Sequence, residues 1–305
     1  MKKKAYNKKP MSATEQISQL LSRGMVIDDA ERARYYLQNI GYYRLSGYWF
    51  SYQKRDNSNK HDHFNKPVSF DTILDNYIFD RKLRLLALDA IERIEVAIKA
   101  TISDTMSKNN GPHWYLEEKF FSPKNYNHKN FIEQVKSEIG MAKPNGSRTR
   151  FIDHYFETYD SPELPPCWMV FECLSFGKIS YLFSRLEREH RKEISEKLGL
   201  PESILKSWLH SISHIRNICA HHSRIWNRAI VVKPKIRNCD KPHVLSENQF
   251  YAHAVAIKTI LRVVSSNSLW SKRIANLFNE HPKIMLKDIG FPENWTEYRP
   301  WSTNS

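Results

Sequence analysis

The sequence predicts an all-α protein. Only nine glycines occur in 305 residues, which is too few for the many tight turns of an all-β fold and argues against glycine-rich phosphate loops. Apolar residues recur at three- and four-residue spacing in several long segments, as the buried stripe of a helix requires. A hydrophobic content of 41% excludes general disorder.

The N-terminal part contains two predicted short helices, over residues 14–21 and 28–40, with a break at Gly24. The aromatic segment YYRLSGYWFSY follows at residues 42–52. We favour a core segment here, because dense aromatic residues usually bury their rings. The alternative is a surface that stacks bases, with Arg44 on a phosphate. Residues 54–67 are predicted to form a polar loop.

A long helix is predicted from Ser69, which offers an N-cap, to about residue 106. Glu92 and Glu95 share one face of it. We interpret its charges as internal salt bridges at three- and four-residue spacing and not as a catalytic carboxylate pair. A break near Gly111 ends this helix. Further helices are predicted over residues 127–140, 148–159, 168–197 with an interruption near Gly177, 202–225, 247–265 and a short terminal segment.

The charge of the chain suggests a polyanionic partner. Lys and Arg number 47 against 33 acidic residues, a formal net charge of +14, and such a surplus favours phosphate binding. The alternative is a basic surface without a ligand. The four cysteines have neither zinc spacing nor a disulfide framework, and no segment has transmembrane length. The sequence therefore predicts a cytoplasmic protein that does not contact a membrane and uses no cofactor.

The most informative segment is SISHIRNICAHHSRIWNR, residues 211–228. At about 100° per residue, the helix that contains it has two faces. The apolar face carries Trp208, Ile212, Ile215 and Cys219, and the opposite face carries His210, His214, Asn217 and His221. Imidazoles and an amide stand where Lys and Glu are usual, so this face is either a solvated helix face of unusual composition or a working site.

Two chemistries fit this polar face. His210 and His214, four residues apart, could bind a metal, although the H-E-x-x-H pattern is absent. In the other interpretation, RNICAH from Arg216 to His221 cleaves a phosphodiester. Histidine suits the two proton transfers of RNA cleavage, and a guanidinium suits the charge that grows on the phosphoryl oxygens. Asn217 lies on the same face as His221, where it can orient the ring or bind the phosphate.

Arginine followed by histidine at similar spacing also occurs elsewhere, so the bare pattern is weak. Arg185 and His190 lie in a highly charged segment and are interpreted as a solvated helix face. The pair Arg148 and His154 follows a Gly-Ser loop and stays open as an alternative. The two remaining pairs fall in a polar loop and in a proline-containing segment: Arg55/His61 and Arg237/His243.

Several segments resemble one protein family. RNICAHHSRIWNR resembles the signature of the Abi family of bacterial abortive-infection proteins (the AbiD/AbiF type), which belong to the HEPN superfamily of helical ribonucleases. ISQLLSRGMVIDDAERARYYLQNIGYYRLSGYWF resembles the N-terminal region of that family. FDRKLRLLALDAIERIEVAIK and LPPCWMVFECLSFGKISYLF resemble its central helical segments. The resemblance extends over residues 10–230, and several segments in the same order are more specific than one motif.

The resemblance implies a HEPN-like helical bundle at residues 67–230, between an N-terminal extension (1–66) and a C-terminal helical extension (231–305). It implies a metal-independent endoribonuclease with Arg216, Asn217 and His221 in an R-N-x-x-x-H motif. His222 matches a second histidine of that motif, and we add His214 and Arg224 as candidate catalytic or substrate-binding residues. The resemblance also implies phage defence by growth arrest and control by a small structured antitoxin RNA.

We also expect a homodimer. Arg216 and His221 are about 140° apart around one helix, and His222 would lie another 100° further. One helix therefore cannot easily place two histidines on opposite sides of a phosphate, whereas two identical helices across a two-fold axis can. The alternative function is a non-catalytic RNA-binding regulatory protein, in which the same polar face only holds phosphates.

Overall fold

A computed structural model describes residues 5–7, 9–53, 63–65, 67–122, 124 and 126–302 of the chain. Nearly all regular structure in these residues is helical, so the predicted all-α fold is confirmed. Residues 54–62 and 66 of the predicted polar loop, together with the Arg55/His61 pair, lie outside the described residues.

The α-helices of the described residues are α1 (Ala13–Ser22), α2 (Ala30–Ile40), α3 (Tyr42–Trp49), α4 (Phe70–Asn110), α5 (His128–Glu138), α6 (Arg150–Thr158), α7 (Cys167–Cys173), α8 (Phe176–Arg185), α9 (Arg188–Glu196), α10 (Glu202–Ala220), α11 (Phe250–Val264) and α12 (Trp270–Glu280). Two short parallel strands, β1 (Met25–Val26) and β2 (Val68–Ser69), pair Met25 with Val68. The sequence did not predict these strands, because two residues are too few for a strand pattern.

The chain divides into two compact units, Met1–Leu83 with Asn279–Ile284, and Arg84–Phe278 with Met285–Ser305. In the first unit, α1 packs against α2, and α2 packs against α3. Ser12 and Glu15 form a reciprocal capping box that begins α1. The division into segments 1–66, 67–230 and 231–305 stays a prediction about domain organisation.

The aromatic segment after α2 is mainly a core segment, as predicted. Leu45, Tyr48 and Trp49 are buried, and the Tyr48 hydroxyl donates to a carboxylate oxygen of Asp80 at 2.6 Å. Tyr43 is 92% exposed. The burial of Tyr48 and Trp49 excludes their rings from base stacking, whereas the ring of Phe50 is 50% exposed.

Helix α4 begins where the sequence predicted. The Thr72 amide donates to the Ser69 hydroxyl at 3.1 Å, which is the predicted cap interaction. The expected ion pairs at four-residue spacing are present as well: Arg93 pairs with Asp89, and Lys99 pairs with Glu95, each at 3.1 Å.

The helix predicted over residues 168–197 is three helices, α7, α8 and α9. The second break was not predicted. At this break the chain is extended, and its backbone bonds to a distant segment: the Glu187 amide donates to the Phe120 carbonyl at 2.9 Å, and the Ser122 amide donates to the Arg185 carbonyl at 2.8 Å. These long-range hydrogen bonds replace the local helical bonds, and the sequence carries no sign of them.

Helix α10 forms the middle of the second unit and packs against α8, α9 and α11. Glu202 in its first turn pairs with Arg191 at 3.1 Å, a favourable place for a negative charge. Helix α11 begins three residues later than predicted, and the C-terminal segment packs Trp295 and Trp301 against Phe291. Among the helices of the described residues, none has the length and apolar character needed to cross a bilayer.

Candidate functional site

Helix α10 has the two faces that its sequence predicts. Its apolar face is buried, and the side chains of Trp208, Ile212, Ile215 and Cys219 are each at most 1% exposed. On the polar face, His210, Asn217 and His221 are exposed, and His214 is half-buried. The side chains of Asn217 and His221 form no hydrogen bond or ion pair with any residue that the structure describes. Both are therefore accessible to a ligand.

The motif histidines lie at the end of α10 and not within it. The helix was predicted to continue to about residue 225, but it ends at Ala220, and His221 is the C-cap residue. The amide of His222 donates to the Cys219 carbonyl at 3.0 Å, and the amide of Ser223 donates to the Ile218 carbonyl at 2.9 Å. This pair of bonds is a Schellman motif. His222 therefore does not lie another 100° around the helix, and that expectation is wrong.

His222 occupies the position where such a motif usually has glycine. Its φ is +56°, in the left-handed region, where a Cβ atom crowds the following carbonyl oxygen. A non-glycine residue in this conformation costs about 1 kcal/mol or more. Left-handed backbone at a non-glycine residue is concentrated at functional sites. The left-handed conformation makes His222 a candidate for a functional role.

We therefore predict that His222→Gly is more stable than His222→Ala by about 1 kcal/mol, because only glycine relieves the left-handed strain. The two variants both lose the imidazole and its contacts, so their difference isolates the backbone term. Urea unfolding measures it. Equal stability of the two variants, or a more stable alanine variant, would contradict this account.

Arg216 leans toward helix α4. Its Nε atom lies 4.0 Å from Oε2 of Glu95, whose other oxygen pairs with Lys99. The side chains of Glu95 and Lys99 are 16% and 11% exposed, whereas that of Arg216 is 39% exposed. The loose contact with Glu95 fixes the direction of the guanidinium and leaves its outer nitrogens accessible. Arg216 can therefore still receive an anionic group from solvent.

The loop that follows α10 is held in place by buried side chains and by a backbone hydrogen bond. Ile225 and Trp226 are buried, and the Asn227 amide donates to the Asp288 carbonyl at 3.1 Å. Arg224 is half-buried, and its carbonyl accepts a hydrogen bond from the Arg228 guanidinium at 3.3 Å. This packing places two guanidinium groups close to the end of α10.

His214 lies on the same face and keeps its imidazole neutral. Burial is the main cause that lowers the pKa of His214, and the positive charges of Arg228 and His210 lower it further. A neutral imidazole at neutral pH can accept a proton. His214 therefore suits a supporting role in proton transfer, or in binding a neutral part of a ligand.

A buried histidine of α11 was not among the candidates. His253 is fully buried, with Nδ1 3.2 Å from the Gln249 carbonyl and Nε2 2.9 Å from the Val232 carbonyl. Burial lowers the pKa of His253, the two carbonyls oppose this effect, and His214 adds a smaller lowering. The burial of His253 could not be predicted from the sequence, since a histidine in an apolar helix can face either the core or the solvent.

We predict a loss of stability in mild acid that depends on His253. Because the pKa is lowered in the folded protein, the unfolded chain binds a proton first as the pH falls below about 6.5. The stabilisation is fully present above that pH, and the loss of stability is at most about 1.4 kcal/mol at one unit below it. Urea unfolding at pH 7.5 and 5.5 measures the loss, which should be smaller in His253→Gln. An unchanged pH dependence in this variant would disprove the assignment to His253.

The geometry thus brings some of the predicted residues together and separates others. Asn217 and His221 share an exposed face, and Arg224 and His222 follow at the end of the same helix. Arg216 lies on the side toward α4, and no contact joins it to His221 among the described residues. One copy of the motif therefore does not form a closed constellation of Arg, Asn and His.

The motif and the helices around it match one protein family. The sequence model described as Abi-like protein matches residues 35–227, which is more than half of the chain. The chain belongs to the Abi-like protein family. Membership indicates a role in abortive infection, a form of phage defence. No curated protein and no solved structure gives a significant match.

The alternative Arg–His pair of this Abi-like protein is Arg148 with His154, and its arginine has a structural role. Arg148 pairs with Asp153 at 2.9 Å, and both side chains are at most 10% exposed. The same guanidinium donates to the carbonyls of Gly140 and Lys143, at 2.9 and 2.6 Å. Arg148 therefore holds the loop between α5 and α6, and its donors are engaged there.

The metal alternative for this Abi-like protein rested on His210 and His214. Within the residues that the structure describes, no group of three or more His, Cys, Asp or Glu side chains could hold a metal ion. His210 instead lies on the wall of a groove between α8 and α10, together with Arg185.

The interpretation of Arg185 and His190 as a solvated face does not hold. Arg185 ends α8 and is half-buried, with its guanidinium 4.8 Å from the centre of the Tyr181 ring. His190, in α9, packs against the ring of Phe120. The groove was missed because α8 and the predicted α9 helix were treated as one charged segment. The four-residue step from Lys206 to His210 was the available signal, since it places both side chains on one side of α10.

Proposed function

We propose that this Abi-like protein is a metal-independent endoribonuclease that cleaves RNA through Arg216, Asn217 and His221 in abortive infection. The observation that carries the proposal is the exposed pair of Asn217 and His221 at the end of α10, whose side chains are not engaged within the described chain. The strained His222 beside them supports the same proposal.

The proposed reaction is an intramolecular transesterification. The 2′-hydroxyl of the substrate gives its proton to a base and attacks the adjacent phosphorus, and the bond to the 5′-oxygen of the next nucleotide breaks. That oxygen receives a proton, so the products are a 2′,3′-cyclic phosphate and a 5′-hydroxyl. His221 suits one of the two proton transfers. Arg216 stabilises the charge on the phosphoryl oxygens, and Asn217 donates to one of them.

A homodimer completes the proposed site, because one motif carries His221 and Arg216 in different directions. Val96 lies next to Glu95 on α4, and its side chain is 58% exposed. An exposed apolar side chain beside the contact of Arg216 is suited to burial against a second copy. Two copies of α10 would then bring the Arg216 of one copy and the His221 of the other to a single phosphate.

The RNA that this protein binds is proposed to include a controlling RNA. The net charge of +14 exceeds what a single cleaved phosphodiester requires. A small structured RNA held by the basic surface would block the site until it is removed. The protein would then act as the toxin of a toxin–antitoxin pair.

The second candidate function is RNA binding without catalysis. A catalytic base is usually oriented by a third group, and His221 has no such partner within the described residues. In this alternative, the polar face of α10 binds phosphates only. Cleavage assays distinguish the two functions.

We predict that purified protein cleaves RNA in excess EDTA, and that a substrate with a 2′-deoxy nucleotide at the cut is inert, because the nucleophile is then absent. Gel analysis of end-labelled RNA, with enzymatic tests for cyclic phosphate and 5′-hydroxyl ends, measures both results. Activity that is lost in EDTA and restored by a divalent ion would overturn metal independence. Equal cleavage of the deoxy substrate would overturn the proposed reaction.

A further inference from the structure

The groove between α8 and α10 has a volume of about 710 Å³ and lies entirely within the second unit. The charged residues that the structure places on its wall are all basic, namely Arg185, Lys206 and Lys235, and His210 lies beside them. The remaining wall consists of five serines, one glycine and Tyr181. Positive charges and hydroxyl groups without a carboxylate are the ligands that a phosphate prefers.

The cations of this groove differ from other cations of the same unit. Two half-buried guanidinium groups elsewhere in this unit have a carboxylate partner: Arg191 pairs with Glu202 at 3.1 Å, and Arg237 pairs with Asp240 at 2.6 Å. The Arg185 guanidinium contacts the Lys124 carbonyl at 3.4 Å and lies over the Tyr181 ring, but it pairs with no carboxylate of the described residues. Its buried Nε atom has no hydrogen-bond partner among these residues. A charge partly removed from water without a counter-ion is unfavourable. An anionic ligand in the groove would compensate for it.

Two lysines complete the positive wall. The backbone amide of Lys235 donates to the Ser207 hydroxyl at 2.8 Å, and its carbonyl accepts from Trp208 at 2.8 Å, which holds this residue against α10. The ammonium groups of Lys206 and Lys235 form no ion pair with any described residue. They are exposed and available to a phosphate.

The groove continues into the polar face that carries the motif. His210 lies on the wall of the groove and is also the first residue of the stripe that leads to Asn217 and His221. At a rise of 1.5 Å per residue, Lys206 is about 15 Å along the helix from Arg216. A strand that lies in the groove therefore reaches the motif without leaving α10.

We propose that this groove binds the phosphodiester backbone of single-stranded RNA on one side of the cleaved bond. Arg185, Lys206 and Lys235 contact successive phosphates, and the hydroxyls of Ser203 and Ser207 donate to their oxygens. Tyr181 is 43% exposed, and the Arg185 guanidinium lies 4.8 Å from the centre of its ring. The exposed part of the ring offers a flat surface on which a base can stack. The identity of the strand as substrate rests on the proposed function, whereas the binding of RNA does not.

The test is a binding measurement that does not require cleavage. The double variant Lys206→Gln/Lys235→Gln is made in the His221→Ala background, and a matched control carries Lys129→Gln/Lys192→Gln, two exposed lysines outside the groove. Anisotropy of a fluorescent 12-nucleotide single-stranded RNA is recorded over a series of salt concentrations. We expect at least about tenfold weaker binding near 0.1 M salt, and a log–log salt slope smaller by about 1.4, because two phosphate contacts are lost.

The control variant should keep both the affinity and the salt slope of the His221→Ala parent. Equal binding by the groove variant and the control would overturn the proposal. Inorganic phosphate or a mononucleotide that binds the groove as tightly as the oligonucleotide would also overturn it, since the ligand would then be a small anion. As a second measurement, an oligonucleotide with 4-thiouridine should cross-link to Tyr181 on irradiation, and cross-links confined to peptides outside α8 and α10 would count against the groove.

The two proposals can fail separately. If wild-type protein does not cleave RNA but the groove variant binds RNA more weakly than the control, the groove assignment stands and the nuclease assignment falls. If wild-type protein cleaves RNA and the groove variant binds like the control, the nuclease assignment stands and the groove assignment falls.

Discussion

His221→Ala should lower the rate of RNA cleavage at least about 100-fold and leave RNA affinity within about threefold of the wild-type value. Removal of a group that transfers a proton in the transition state costs roughly 10²- to 10⁴-fold in rate. The affinity is retained because the phosphate contacts come from Arg216, the groove cations and the wider basic surface. Single-turnover cleavage and anisotropy with the same oligonucleotide measure the two quantities separately.

The control for this variant is His154→Ala. His154 is an exposed histidine of α6 in the same unit, and its neighbour Arg148 holds a loop. This change should leave both the rate and the affinity unaltered. If His221→Ala lowers affinity and any observed cleavage in the same proportion, the polar face of α10 only binds RNA, and the alternative function is correct.

The predictable part of the site is the part that depends on helical periodicity. The burial of Trp208, Ile212 and Ile215 follows from spacings of three and four residues, and the exposure of Asn217 and His221 follows from the same spacings. The cap at Ser69 was predictable too, because the capping residue and its target amide are three residues apart. In each case the determining interaction is local, so the sequence contains it.

The parts of the site that the sequence did not predict depend on contacts between residues distant in the chain. Helix α10 ends at Ala220 although the next residues are compatible with a helix. His222 adopts a left-handed conformation there, and Ile225 and Trp226 are buried in the loop that follows. Glycine at this position would have predicted the end of the helix, but the residue that adopts the left-handed conformation is His222. The prediction that Arg185 is solvated was wrong for the same reason, since Arg185 lies in a groove with residues of α10 and contacts the Lys124 carbonyl.

The last prediction concerns the sharing of the site between two copies of the chain. Arg216 and His221 form no contact with each other among the described residues, since Arg216 lies beside Glu95 and His221 lies at the end of α10. We therefore expect His221→Ala and Arg216→Ala to be inactive separately, and a mixture of the two to regain a measurable fraction of wild-type activity. Half of the dimers in an equal mixture are mixed, and each holds one intact histidine and one intact arginine from different copies.

A mixed dimer can regain activity only if its two motifs perform different tasks at one phosphate. In-line displacement requires such a difference. The leaving oxygen and the attacking oxygen lie on opposite sides of phosphorus, so one side needs a base and the other needs an acid.

The faces that meet at the two-fold axis are rich in His and Arg, and their repulsion opposes the dimer. Neutral imidazoles and the bound phosphate offset this repulsion, so RNA should strengthen dimerisation. Light scattering with and without RNA measures it, with the His221→Ala variant used to prevent turnover. A wild-type protein that cleaves RNA while it stays monomeric under both conditions would refute the shared site.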